Sequence, residues 1–274
     1  DHRDLHSFPT RRSSDLTGDM SSEDIKALID YFKLKGVNWI GILGGEPFIR
    51  DDIYDIMSHI TSRALFMTVS TNGTLEGAYD FAALAELKPQ LQVSIDGSTP
   101  QINDRLRGVG AFRRTLAFID GLNTHDIPFS IGYTVSRANQ DQIRDMAVLA
   151  SELRARSLRL EIFIPIAEGK AMTRDLSVTA AELAKLEGAI AELMNEFPFI
   201  VSPFVNTSQC GAGIHTIVVN IDRTLSACDL LAEKERTLPF GDITEIADLW
   251  LNDPVFARYR GLNGHRCRLF EILI

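Results

Sequence analysis

From Ser21 onward the apolar residues fall into two alternating patterns. In SSEDIKALIDYF, residues Ile25, Leu28, Ile29 and Phe32 recur at helical spacing behind a serine and acids suited to a first turn, and Gly36 closes the stretch. A short apolar run, Val37 to Leu43, follows as a strand. Further strand-like runs at 64–70 (ALFMTVS), 91–96 (LQVSID), 129–135 (FSIGYTV) and 158–165 (LRLEIFIP) are separated by helical periods near 52–62, 76–87, 112–123 and 140–155. Five continuous apolar strands interleaved with amphipathic helices predict parallel pairing through right-handed crossovers, in an open doubly wound sheet or a barrel. Beyond a helix near 179–195, a hairpin of Ile217 to Ile221 with Thr224 to Cys228 is expected, then a helix carrying Ile243, Ile246 and Trp250.

In either architecture ligands gather at the carboxyl ends of the strands. The first strand runs into Gly44-Gly45-Glu46-Pro47, the second into Ser70-Thr71-Asn72-Gly73, and the third carries Ser94 and Asp96 before Gly97. The fourth ends near Thr134 and Ser136, and the fifth at Pro165 with Glu168 and Gly169 beyond; Asp96, Glu161 and Glu168 are the ionisable groups near this mouth. Glycines at strand ends let a ligand approach the backbone, and a carboxylate beside freed backbone groups suits a ligand ammonium. The same residues would also serve as a strand-to-helix turn in which Glu46 and Pro47 open the next helix.

Composition narrows the class. With 274 residues, 45% hydrophobic and 24% charged, the chain can bury a large core as one sizeable domain or a domain with an appendage. A formal charge of −9 with basic residues scattered among acids leaves no electrostatic footprint for nucleic acid. No run approaches a membrane span and no secretory leader is visible, so a cytoplasmic protein acting on a peptide or small-molecule substrate is expected. The three cysteines, Cys210, Cys228 and Cys267, are an odd number in the last quarter, which argues for a metal rather than a disulfide framework. Residues 1–16, DHRDLHSFPTRRSSDL, follow no hydrophobic period; SFPTRRSSDL looks like translated sequencing-adapter text and is set aside from the fold, a disordered terminus being the alternative.

The succession GGEP, STNG and SIDG after three consecutive strands, followed by NDRLRGVGAF, resembles the radical S-adenosylmethionine (SAM) superfamily, in its branch with a C-terminal SPASM or twitch extension. The resemblance covers about residues 17 to 267. It implies that Gly44, Gly45 and Glu46 bind the methionyl amino group of S-adenosyl-L-methionine, with Pro47 shaping the turn. Ser70, Asn72, Ser94 and Asp96 match positions near the SAM ribose and carboxylate, and Arg105, Arg107 and Gly108 a recurrent turn, of which Arg105 is taken as a cofactor contact. The implied activity is that of an oxidoreductase or maturase: an electron donor such as flavodoxin or ferredoxin reduces a 4Fe-4S cluster, SAM is cleaved reductively, and the 5'-deoxyadenosyl radical abstracts hydrogen from a peptide or cofactor-precursor substrate.

That cluster needs three thiolates, usually C-x3-C-x2-C, and this sequence has no such motif. The expectation is an α/β fold in which a partial (βα)6 barrel lacks its first strand and cluster loop, the five visible strands being its second to sixth, plus a small C-terminal α+β extension. The chain as written is not expected to form the catalytic cluster or to be active. The expected layout is a non-native or disordered leader over 1–16, the barrel over 17–200 and an incomplete auxiliary-cluster domain over 201–274. In that extension Cys210, Cys228 and Cys267 match ligands of an auxiliary 4Fe-4S cluster. Arg223 stands where the family has glycine, and Phe270 where the next cysteine belongs. The alternative function is a cluster-less α/β barrel that binds SAM or another small molecule without radical chemistry.

Overall fold

Six parallel strands form the main sheet of the computed structural model, which describes residues 20–164, 173–201, 211–228 and 237–261. Helix α1 (Ser22–Leu34) starts where the Ser21 hydroxyl accepts the Asp24 amide. There follow β1 (Trp39–Ile42), α2 (Ile53–Ser62), β2 (Phe66–Thr71), α3 (Phe81–Leu87), β3 (Gln90–Ser94), α4 (Pro100–Arg107), α5 (Ala111–Thr124), β4 (Phe129–Val135), α6 (Ile143–Glu152), β5 (Leu158–Ile162), α7 (Thr173–Leu176), α8 (Ala180–Glu196) and β6 (Ile200–Val201). Each strand pairs with the next in sequence, β1 through β6, as βα units wound in one direction require.

The two faces of this sheet differ. Met67, Val69, Leu91, Val93, Ile131, Tyr133, Leu158 and Leu160 are buried on one face against the helices and join a core with Met57, Ile60, Leu122, Met146 and Ile190. Beyond Trp39 and Phe66, which pair at the start of β1 and β2 with their rings exposed, the intervening positions are small or polar and stand side by side. Gly41 pairs with Thr68, Ser70 with Gln92, Gln92 with Ser130, and Ser94 with Gly132. Successive strand residues point to opposite faces, so these form a second, partly exposed polar face. The strands expected to be continuously apolar are therefore alternating, which corrects that reading.

All five expected strands are present, and β6 is the addition. Two residues within FPFIV are too short for a periodic signal, yet Ile200 and Val201 pair with Leu158 and Arg159. Helix α3 begins at Phe81 rather than near 76, because Gly77 adopts φ +76° and the Asp80 side chain caps the Ala83 amide. Where a turn was expected around Arg105 and Arg107, the chain forms α4, opened by Pro100 and closed by Gly108 at φ +95°.

The C-terminal part carries an antiparallel sheet of β7 (Val218–Val219), β8 (Thr224–Ser226) and β9 (Leu238–Pro239), then α9 (Glu245–Asn252) and α10 (Pro254–Arg260). The expected hairpin is there; β9 is a third strand that was not expected. A second apolar cluster joins Leu225, Leu238, Ile246 and Phe256 to Met20 and Leu28 of the α1 region. Arg223 holds the left-handed conformation, φ +60°, that favours glycine, and its guanidinium lies 2.7 Å from Asp24 of α1. This ion pair ties the hairpin to α1. No described helix is long and apolar enough to cross a membrane.

Candidate functional site

The carboxyl ends of β1, β2 and β3 meet in one network of hydrogen bonds and a charge contact. Gly44 and Gly45 are exposed, Gly44 at φ +136°, and a Cβ at either would meet nothing, so the main chain here faces open space. Glu46 turns the other way and is 4% exposed. Its Oε1 accepts from the Phe48 amide at 3.2 Å and the Thr71 hydroxyl at 2.8 Å, while Oε2 accepts from the Asn72 amide at 2.7 Å. Glu46 also caps the 3-10 turn Pro47–Ile49, with Pro47 at its first position, which is the local reason for the Glu-Pro sequence. Burial pushes the Glu46 carboxyl above its ordinary value; the three donors and the nearby Arg107 charge pull in the opposite direction without cancelling it. The side chain expected to meet a ligand ammonium is thus held by three protein donors, and what the segment leaves exposed is glycine backbone.

Asp96, at the end of β3, is buried. Its Oδ1 accepts from the Thr134 amide at 2.7 Å, and its own amide donates to Asn103 Oδ1 at 2.9 Å. Arg107 Nε lies 2.8 Å from Asp96 Oδ2 but its N–H is not aimed at that oxygen, so the contact is one of charge rather than a hydrogen bond. Arg107 Nη1 donates to Asn72 Oδ1 at 2.9 Å. One guanidinium therefore spans the ends of β2 and β3. Asn139, fully buried, donates to the carbonyls of Asp96 and Thr134 and fixes the end of β4 to the same network.

Of the residues selected from the sequence, Gly44, Gly45, Glu46, Pro47, Asn72 and Asp96 come together here. Ser70 and Ser94 lie half-buried on the polar face just below. Arg105 is exposed, on a different side of α4 from Arg107. Arg107 and Thr134, named from the sequence but not selected as cofactor contacts, belong to the network, and Asn103 and Asn139 are the residues passed over. The signal was helical spacing: Asn103 and Arg107 are four apart and share a face, whereas Arg105 cannot share it.

The cysteines give a less complete picture. Cys228, half-buried after β8, packs with the second apolar cluster; Cys210 and Cys267 lie outside the described residues, as does Glu168. Among the described residues no group of three His, Cys, Asp or Glu side chains could hold a metal. The residues present thus do not fit a three-thiolate catalytic cluster.

With this geometry in hand, comparison with known proteins decides the family. The radical SAM superfamily is matched over residues 7–150. The chain belongs to that superfamily. It is 35% identical over 167 residues to the AdoMet-dependent heme synthase of Methanosarcina barkeri, covering 60% of this chain and 48% of that protein. With mycofactocin maturase MftC of Mycobacterium ulcerans it shares 27% identity over 258 residues, 89% of this chain and 69% of the maturase. The structure of Streptococcus suis SuiB bound to precursor peptide SuiA superposes with a TM-score of 0.73 at 16% identity, over 91% of this chain and 61% of that one. At that identity the likeness is one of fold, and it agrees with the parallel α/β architecture. The chain spans about half the length of the heme synthase it matches.

Proposed function

We propose that this chain is the SAM-binding and substrate-binding part of a radical SAM enzyme acting on a peptide. The observation that carries the reading is the network Glu46–Asn72–Arg107–Asp96, which locks three consecutive strand ends beside exposed Gly44–Gly45 backbone. The main chain at Gly44 and Gly45, whose Gly45 carbonyl accepts from Asn72 Nδ2 at 3.5 Å, suits an ammonium, and the hydroxyl groups of Ser70 and Ser94 suit ribose hydroxyls and a carboxylate. The donor set therefore fits SAM. The family's chemistry, reductive cleavage of SAM to a 5'-deoxyadenosyl radical that abstracts hydrogen, needs a cluster whose C-x3-C-x2-C ligands are not in this sequence. What the chain's own residues do is bind, orient and shield. Burial of Glu46 and Asp96 keeps the strand ends rigid, so that binding groups are held in place before the ligand arrives.

Peptide modification is supported by the likeness to a maturase and to a fold seen with a precursor peptide, and the proposed setting is the cytoplasm, with flavodoxin or ferredoxin as electron donor. In the C-terminal part, Cys210, Cys228 and Cys267 are the proposed ligands of an auxiliary 4Fe-4S cluster. A cluster-free SAM-binding role is the second reading, favoured by the missing cysteine motif.

Isothermal titration of SAM tests the first part. Glu46→Ala and Asp96→Asn should each weaken SAM binding at least tenfold, and unchanged affinity in both would overturn the site. Iron analysis after anaerobic reconstitution tests the second: Cys210→Ala combined with Cys228→Ala should lower iron per chain. An unaltered ratio would make those thiols structural and leave the binding-only reading.

A further inference from the structure

The strands of the parallel sheet all start at the end away from the candidate SAM site. There the turns from α5 into β4 and from α6 into β5 border an open recess of about 180 Å³, lined by Asn123, Asp126, Ile127, Pro128, Arg154 and Arg156. The two turns are tied together. Asn123 Nδ2 donates to the Leu153 carbonyl at 3.1 Å, the Arg156 amide to the Phe129 carbonyl at 2.8 Å, and the Ser157 hydroxyl to that of Ser130 at 2.8 Å. Main-chain donors of the recess are spent inside the fold: the amides of Asp126, Ile127 and Arg154 bond to the carbonyls of Asn123, Leu122 and Ser151, and Pro128 has no N–H. Side chains are what remain for a ligand. Asp126, Arg154 and Arg156 are exposed, and among the described residues none of the three side chains is engaged in a hydrogen bond or an ion pair, with one another or with any other group. Two of them also hold backbone conformations that glycine adopts more easily, Asp126 at φ +52° and Arg154 at φ +62°. A cation past a helix end complements the helix dipole wherever its side chain points, so that role requires neither a second arginine nor a recess shared with Asp126.

We propose that this recess is a binding site for inorganic phosphate, in which Arg154 and Arg156 donate to the oxyanion and Asp126 selects a protonated one. Each guanidinium presents a planar fork of N–H groups that matches two oxygens of one oxyanion, so two arginines can hold a single tetrahedral ion. Asp126 decides which ion. A fully ionised sulfate or carboxylate meets only repulsion from the Asp126 carboxylate, whereas inorganic phosphate keeps an O–H at neutral pH and can donate it there. A phosphomonoester has mostly lost that proton at neutral pH and is disfavoured for the same reason. Size agrees with a small ion: the recess has the volume of about six water molecules, too little for a nucleotide. The site lies at the opposite end of the sheet from the candidate SAM site and does not depend on that reading.

The test is isothermal titration of the full chain with sodium phosphate and, separately, with sodium sulfate, at neutral pH and constant ionic strength. The parent should bind phosphate saturably and sulfate much more weakly. Arg154→Gly and Arg156→Ala should each weaken phosphate binding by about tenfold or more, the size of a lost charge-assisted contact. Arg154→Gly relaxes the left-handed backbone, so its melting temperature should equal or exceed the parent's, which separates loss of the ligand contact from loss of the fold. Asp126→Asn removes the charge and keeps a residue type that tolerates this backbone, and it should let sulfate bind about as well as phosphate. No saturable phosphate binding by the parent, equal affinity of the parent for phosphate and sulfate, unchanged phosphate affinity in both arginine variants, or continued exclusion of sulfate by Asp126→Asn would each overturn the proposal.

Discussion

At the residue scale, Glu46 shows how one side chain can serve a site without facing it. Its two oxygens satisfy Phe48, Thr71 and Asn72, and removing it strands those donors in a buried setting. Glu46→Ala should therefore destabilise the fold by about 2–4 kcal/mol in denaturant titration, the range for stranding buried polar groups. Its pH behaviour is opposite in sign to that of the surface acids. Burial raises the Glu46 carboxyl, so its ionisation opposes folding: this cost is absent below the ordinary value of 4.5 and grows as pH rises through the folded value. Asp30 is held down to about 2, first by Arg63, and Glu182 to about 2, first by Arg137. Their contribution is present above the ordinary 3.8 and 4.5 and is lost as pH falls towards 2. Both are solvent-exposed, so the effect is shallow; Asp30→Asn should flatten the melting temperature between about pH 4 and 2, and an unchanged acid limb would remove Asp30 from the account.

At the scale of elements, the positions of strands and helices were legible because each βα unit carries its own period and punctuation. The capping box at Thr179 and Glu182 sets the start of α8 locally, and Thr179→Ala should cost about 1 kcal/mol in denaturant unfolding. Other features were not legible, for a physical reason: they are fixed by contacts between residues far apart in the chain. Nothing local says that the carboxylate of Glu46 turns towards Thr71 and Asn72, whereas Pro100 and Gly108 do mark the two ends of α4. The glycine of SIDG belongs to both worlds. A Cβ at Gly97 would lie 2.5 Å from the Asn103 amide nitrogen, so this glycine permits α4 to sit against the end of β3 and lets Asn103 reach the Asp96 amide. Gly97→Ala should displace α4, cost about 1–3 kcal/mol and weaken SAM binding; a variant of parental stability and affinity would show that α4 can yield without consequence. The alternation within FMTVST, QLQVS and FSIGYTV was in the sequence all along. Continuous apolar character belongs to parallel strands covered on both faces, and this sheet departs from that rule on one face.

At the scale of the molecule, the helices and one sheet face build a single large core, and the C-terminal sheet and helices rest on α1 through a smaller one. At the carboxyl ends of β1 to β3 the chain offers a hydrogen-bonded, charge-bearing rim, the surface proposed to bind SAM. The rim carries the central claim. The most direct test is a two-dimensional amide spectrum of the isotope-labelled chain titrated with SAM. The account predicts saturable shifts concentrated at Gly44–Glu46, Ser70–Asn72, Ser94–Asp96 and Arg107, whereas no shifts, or shifts centred away from the carboxyl ends of β1 to β3, would contradict it.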